Sequence, residues 1–81
     1  MVNVPDEQLN APSIELGVYR HYKGNNYDVI GVALHSETTL PFVIYKPLYN
    51  SPSPYWIRPY DMFVSTVLID GVEIPRFKKV S

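Results

Sequence analysis

The chain has 81 residues, seven Lys+Arg against eight Asp+Glu for a formal net charge of -1, and no cysteine. That length admits one domain with a modest core, burying roughly 60–65% of its unfolded surface. Disulfides and Cys-ligated zinc or iron–sulfur sites are excluded, and the near-neutral charge supplies no global field for duplex nucleic acid or an anionic membrane.

The first residues, Met1-Val2-Asn3-Val4-Pro5-Asp6-Glu7, carry neither the basic nor the apolar stretch of a signal peptide. No apolar run reaches the ~18 residues of a spanning helix. The chain therefore reads as soluble and cytoplasmic, and the lack of Cys suits a reducing compartment. Seven Tyr, three Phe and one Trp make up 14% of the residues, and eight prolines disfavour long helices. With many Val and Ile besides, the composition predicts an all-β domain.

Residues 1–16, broken by Pro5 and Pro12, read as an extended or poorly ordered lead-in, with one helical turn at Asp6-Glu7-Gln8-Leu9. Gly17 to Tyr22 is the first predicted strand and Tyr27 to Leu34 the second, joined by a turn at Lys23-Gly24-Asn25-Asn26. Pairing Tyr22 with Tyr27 sets His21 opposite Asp28 and Arg20 opposite Val29. Gly31 within the second strand points to a bulge or a close backbone approach. His35 to Pro41 is a loop, and Phe42 to Lys46 a third strand that Pro47 confines to an edge or a bulge. A rigid loop at Asn50-Ser51-Pro52-Ser53-Pro54 precedes a short fourth strand, Tyr55 to Arg58. Pro59 then opens one 3₁₀ or α turn through Phe63. Val64 to Ile69 and Val72 to Ile74 flank Asp70-Gly71, the signal of a type I′ hairpin. Its register pairs Ile69 with Val72 and Val67 with Ile74 on one buried face. Residues 78–81 remain as a basic tail. Five to six short strands in so short a chain form a small, strongly bent sheet or barrel.

Several blocks resemble a known family in their order. They are Gly-Val-Tyr-Arg-His-Tyr-Lys-Gly (17–24), Tyr-Asp-Val-Ile-Gly-Val-Ala-Leu-His-Ser-Glu-Thr (27–38), Val-Ile-Tyr-Lys-Pro-Leu-Tyr (43–49), Trp-Ile-Arg-Pro (56–59), Met-Phe (62–63), Asp-Gly (70–71) and Pro-Arg-Phe (75–77). Together they are similar to the small bacterial and phage family catalogued as domain of unknown function 1653. The resemblance implies a compact SH3-like β-barrel or roll over residues 17–77 and no established activity. Pro47 departs from the pattern, where an Arg or another ordinary residue is expected, and Ser51-Pro52-Ser53-Pro54 lengthens a loop.

Candidate chemistry is sparse. His35-Ser36-Glu37 is not a catalytic triad, because neighbours in an extended segment point to opposite sides; turn capping by Ser36, Thr38 and Thr39 accounts for it. His21 beside Asp28 would support acid–base work, but no nucleophile is placed with them. No metal-ligand spacing and no phosphate loop exist, so no metal and no cofactor are expected. The aromatic and arginine residues Tyr19, Arg20, His21, Tyr22, Tyr45, Tyr49, Trp56 and Arg58 are the candidate ligand-binding set. Arg binds oxyanions bidentately and stacks on rings, and Tyr and Trp offer an apolar face with a polar tip. A small anionic or nucleotide-like ligand fits these residue types best, with a single strand or a Pro-rich peptide as related options. In the structural reading, Trp56 anchors the core and Arg58 pairs with Glu15, Glu37 or Asp61. The expected function is a non-enzymatic binding module. The alternatives are a protein–protein adaptor, or a self-associating one, using a strand edge or the aromatic face, and a small His-dependent enzyme.

Overall fold

A computed structural model describes residues 9–81. The domain is all-β with one helical turn: β1 (Gly17–His21), β2 (Asn26–Leu34), β3 (Pro41–Pro47), β4 (Trp56–Pro59), α1 (Tyr60–Phe63), β5 (Thr66–Ile69), β6 (Val72–Pro75) and β7 (Phe77–Lys79). Asp6 to Gln8 of the expected first helical turn lie outside the described residues, and Leu9 is not helical. Residues 9–16 form no helix or strand, yet Ile14 packs on the core.

The first hairpin departs from the expected register. Tyr19 lies opposite Tyr27 and Arg20 opposite Asn26. The loop is three residues long: the His21 N–H donates to the Asn25 carbonyl at 2.8 Å, and the Gly24 N–H donates to the His21 carbonyl at 2.7 Å. Gly24 closes the loop with φ +113, a conformation that L side chains rarely adopt. This shorter turn slides β1 against β2, so His21 and Asp28 do not meet. His21 shares a face with Tyr19 and Tyr27, while Asp28 faces Val18 and Lys46 on the other side.

The expectation at Gly31 holds, since the β2–β3 register shifts between Val29 and Gly31 and leaves Ile30 as the extra residue of a bulge. Pro47 ends β3 beyond the reach of β4, where a missing N–H costs no ladder bond. Asp70 (φ 51) and Gly71 (φ 80) make the turn of the last hairpin, with Ile69 opposite Val72 and Val67 opposite Ile74 as expected. Burial fades toward that turn, however: Val67 and Ile74 are half-buried, whereas Ile69 and Val72 are exposed. The supposed basic tail supplies Lys78 and Lys79 to β7, which pairs with β1.

Strands run in the order β4-β3-β2-β1-β7 in one antiparallel sheet, with β5-β6 as a separate ladder, so no closed barrel forms. The sheet is nevertheless rolled. Four strand spacings of about 4.8 Å would hold β4 roughly 19 Å from β7 if it were flat. Yet the Arg58 guanidinium of β4 lies 5.3 Å from the ring centroid of Phe77 in β7. The concave face buries Tyr19, Val29, Val43, Tyr45 and Phe77, and α1 plugs it with Phe63. The Phe63 and Phe77 rings stack at 4.0 Å, and Tyr19 and Tyr45 lie 5.6 and 5.5 Å from Phe63. This aromatic cluster is what an 81-residue chain without disulfides has for a core. No described helix is long and apolar enough to cross a membrane.

Candidate functional site

The eight candidate residues separate into three groups. Tyr19 and Tyr45 are core side chains rather than surface ones, 9% and 5% exposed. Strand alternation from β1 and β3 turns them inward, and their hydroxyls reach polar partners at the rim. The Tyr19 hydroxyl donates to the Glu15 carbonyl at 2.7 Å, and the Tyr45 hydroxyl accepts from Arg58 Nε at 3.2 Å. Burial first, then the nearby Glu15 and Tyr60, raises the pKa of Tyr19, so it stays a neutral donor.

A second group lies along β4 and the loop before it. Arg58 bonds the Tyr45 hydroxyl and the Met62 sulfur (3.8 Å), not a carboxylate as expected, and its guanidinium sits against Phe77. Trp56 is 39% exposed and is not a core anchor; its indole N–H donates to Ser51 Oγ at 3.3 Å. The exposed Tyr49 meets Tyr27, hydroxyl to hydroxyl, at 3.0 Å. Burial and that hydrogen bond to Tyr49 push the Tyr27 phenol up to about 12.

The third group forms a cleft. Arg20, His21 and Tyr22 line it with Ile74, Pro75, Lys78 and Val80, around a volume of about 340 Å³. That lies at the lower end of the range for small-molecule sites. Because Tyr19 points into the roll, alternation turns Arg20 and its β7 partner Lys78 to the convex face, directly opposite each other. Like charges so placed cost stability. Arg20 Nε donates to Asn26 Oδ1 at 3.1 Å, a neutral partner. Ile74, Pro75 and Val80 give the cleft an apolar wall. The backbone of Arg76 fixes its geometry, accepting from the Tyr22 N–H at 2.9 Å and donating to the Ser65 carbonyl at 3.0 Å.

His21 sits at the edge of this cleft, its ring 4.8 Å from Phe77 and 4.5 Å from Tyr22. Burial lowers its pKa below the usual imidazole value, and the positive charges of Arg58, Arg76 and Lys23 lower it further. The imidazole is neutral at neutral pH.

A second cleft, of about 490 Å³, is lined by Leu9, Ala11, Leu34, His35, Ser36 and Thr39. It holds no lysine or arginine. His35 caps its own loop, its Nδ1 accepting from the Glu37 and Thr38 amides at 3.1 and 3.3 Å. Turn chemistry therefore does account for His35-Ser36-Glu37, though the imidazole supplies much of it. Among the described residues, no three His, Asp or Glu side chains gather as a metal site would need.

Lys78 was missed in the sequence because its strand is only three residues long and pairs across most of the chain. Its one local signal is the Phe77-Lys78-Lys79 alternation of apolar and charged residues.

No curated protein matches the chain. A crystal structure of a protein belonging to DUF1653 from Bordetella bronchiseptica is similar, at 37% identity and a TM-score of 0.77, covering 83% of this chain and 87% of that one. Residues 17–79 match the family described as protein of unknown function, DUF1653. That span holds every strand of the roll and all eight candidate residues. The chain belongs to the DUF1653 family.

Proposed function

We propose that this protein is a non-enzymatic binding module for a small anion carrying a flat apolar group, a nucleotide-like ligand, held in the cleft of Arg20, His21, Tyr22 and Lys78. The observation that carries the reading is the juxtaposition of Arg20 and Lys78 across β1 and β7, beside an apolar wall. An anion between the two cations offsets their repulsion, and Arg20 offers it a planar fork of donors. Ile74, Pro75 and Val80 suit the face of a ring, and the Tyr22 side chain among the lining residues offers it an aromatic neighbour. The rolled sheet is read here as SH3-like, and the working compartment as the cytoplasm. The test is isothermal titration of adenosine monophosphate into the wild type and into Arg20→Ala and Lys78→Ala. Each substitution should weaken binding about tenfold and flatten its salt dependence. Unaltered affinity in both variants would refute the assignment.

A second reading, a protein–protein adaptor, is favoured by edge strand β4. Tyr55 and Ile57 are 54% and 60% exposed there, beside the partly exposed Trp56. An apolar edge of this kind accepts an added strand. Association through it should respond to Ile57→Lys and be indifferent to Arg20→Ala.

A further inference from the structure

Two arginines far apart in the sequence are tied to the end of α1, the turn that plugs the concave face. Arg58 of β4 donates from Nη1 to Met62 Sδ at 3.8 Å. Arg76, between β6 and β7, donates from Nε to Ser65 Oγ at 3.1 Å, and that hydroxyl donates to the Met62 carbonyl at 2.6 Å. Phe77 and His21 stand between them. The Arg58 guanidinium lies 5.3 Å and the His21 ring 4.8 Å from the Phe77 centroid, and the positive charges of both arginines reach the imidazole.

Both arginines are half-buried. Their hydrogen-bond partners are nevertheless neutral: Tyr45, Met62 and Ser65, with no carboxylate among the described residues. Of five guanidinium N–H donors, Arg58 uses two on these partners and Arg76 one. The contacts fix the side chains, so little ordering remains for a ligand to impose. They leave the charges uncompensated, in a chain whose net charge is -1.

We propose that Arg58 and Arg76 form a second anion site, at the α1 side of the roll, that takes a tetrahedral dianion such as a phosphate group. It is separate from the Arg20–Lys78 cleft on the convex face and stands on its own observations. Two guanidiniums match the charge of a dianion, and each offers a planar fork to its oxygens. Occupancy is linked to His21. The groups facing that ring are Lys23 from its own turn, the Tyr22 and Phe77 rings, Arg58 and Arg76. A dianion offsets two of the three cations, so it favours protonation of His21, and by reciprocity binds more tightly as the pH falls.

The test follows the titration of His21 by ¹H–¹⁵N spectra of the imidazoles in the full chain, in sodium sulfate and in sodium chloride of equal ionic strength. Sulfate is the probe because it stays dianionic throughout the range. It should raise the pH at which His21 titrates by about one unit, equivalent to about tenfold tighter binding to the protonated form. Arg58→Gln and Arg76→Gln should each remove most of that difference while keeping the native circular dichroism spectrum. Arg58→Lys, which keeps the charge without the fork, should fold and weaken sulfate about tenfold. The Arg20→Ala/Lys78→Ala double variant should show the full sulfate effect. Equal titration of the wild type in the two salts, a sulfate effect undiminished in the Arg58 and Arg76 variants, or its loss in the Arg20→Ala/Lys78→Ala protein would overturn the site. The convex cleft is judged separately, by nucleotide titration.

Discussion

Replacing Lys78 with Glu should make the protein more stable and, on the proposed function, abolish anion binding in the Arg20–Lys78 cleft. Lys78 lies directly across from Arg20 in the β1–β7 ladder, where Cβ atoms of opposed residues are about 5 Å apart. A like-charge pair in that position is destabilising and an opposite pair favourable, each by roughly 0.2–1 kcal/mol. Both side chains are exposed, and solvent screening keeps the gain toward the low end, about 0.5–1 kcal/mol. For a domain of this size 1 kcal/mol moves Tm by roughly 4–8 °C, so Lys78→Glu should melt about 2–8 °C higher in low salt. In 1 M NaCl the screening length falls to about 3 Å and most of the gain should vanish. Lys78→Gln should fall between the two. Circular dichroism melts at both salt concentrations read this directly. A lower or unchanged Tm at low salt, or a gain that survives 1 M NaCl, would refute the reasoning. Lys78 also lies on an edge strand, where a lysine discourages pairing with another sheet. Melts at several protein concentrations separate that role, because it acts only between molecules.

Phe63→Ala removes a ring that is 1% exposed and stacked on Phe77; it should cost about 3–5 kcal/mol and leave much of the chain unfolded in a urea titration. Gly24→Ala meets no atom but must hold φ +113, so backbone strain alone should cost about 1–2 kcal/mol while leaving the native spectrum otherwise intact. The pKa of His21 is lowered on folding. The unfolded chain therefore binds the extra proton more readily, and stability is lost as pH falls from about 6.5 through the lower folded value. Tm against pH should show this loss in the wild type and a smaller one in His21→Gln. Tyr27, held up to about 12 by burial and by Tyr49, acts in the opposite sense. Its contribution is lost as pH rises above about 10, and Tyr27→Phe should flatten that alkaline limb.

The turns were legible in the sequence where one residue pair leaves no choice. Asp70-Gly71 supplies two positive φ values in succession, and the hairpin register followed from it. Gly31 announced its bulge, and Pro47 its place at a strand end. The first hairpin was ambiguous for a physical reason. Gly24, Asn25 and Asn26 all tolerate turn conformations, and Tyr19, Tyr22 and Tyr27 are amphipathic enough to satisfy either face. The sliding of that register removed the His21–Asp28 pair and brought His21 to Phe77 instead. Tyrosine again blurred core and surface. Tyr19 and Tyr45 turn inward while Tyr49 and Tyr55 turn outward, and nothing in the residue type separates them. The site was legible only in part. Arg20, His21 and Tyr22 stand consecutively, but the cation opposite Arg20 arrives from a three-residue strand whose pairing partner lies far away in the chain.

The central claim is that the Arg20–Lys78 cleft holds an anion, and calorimetric titration of adenosine monophosphate into the wild type and an Arg20→Ala/Lys78→Ala double variant tests it most directly. The expected result is one saturable site in the wild type, weakened by added NaCl, and loss of binding in a double variant that still gives the native circular dichroism spectrum. Binding of equal strength in both proteins, or none in the wild type at millimolar nucleotide, would contradict it.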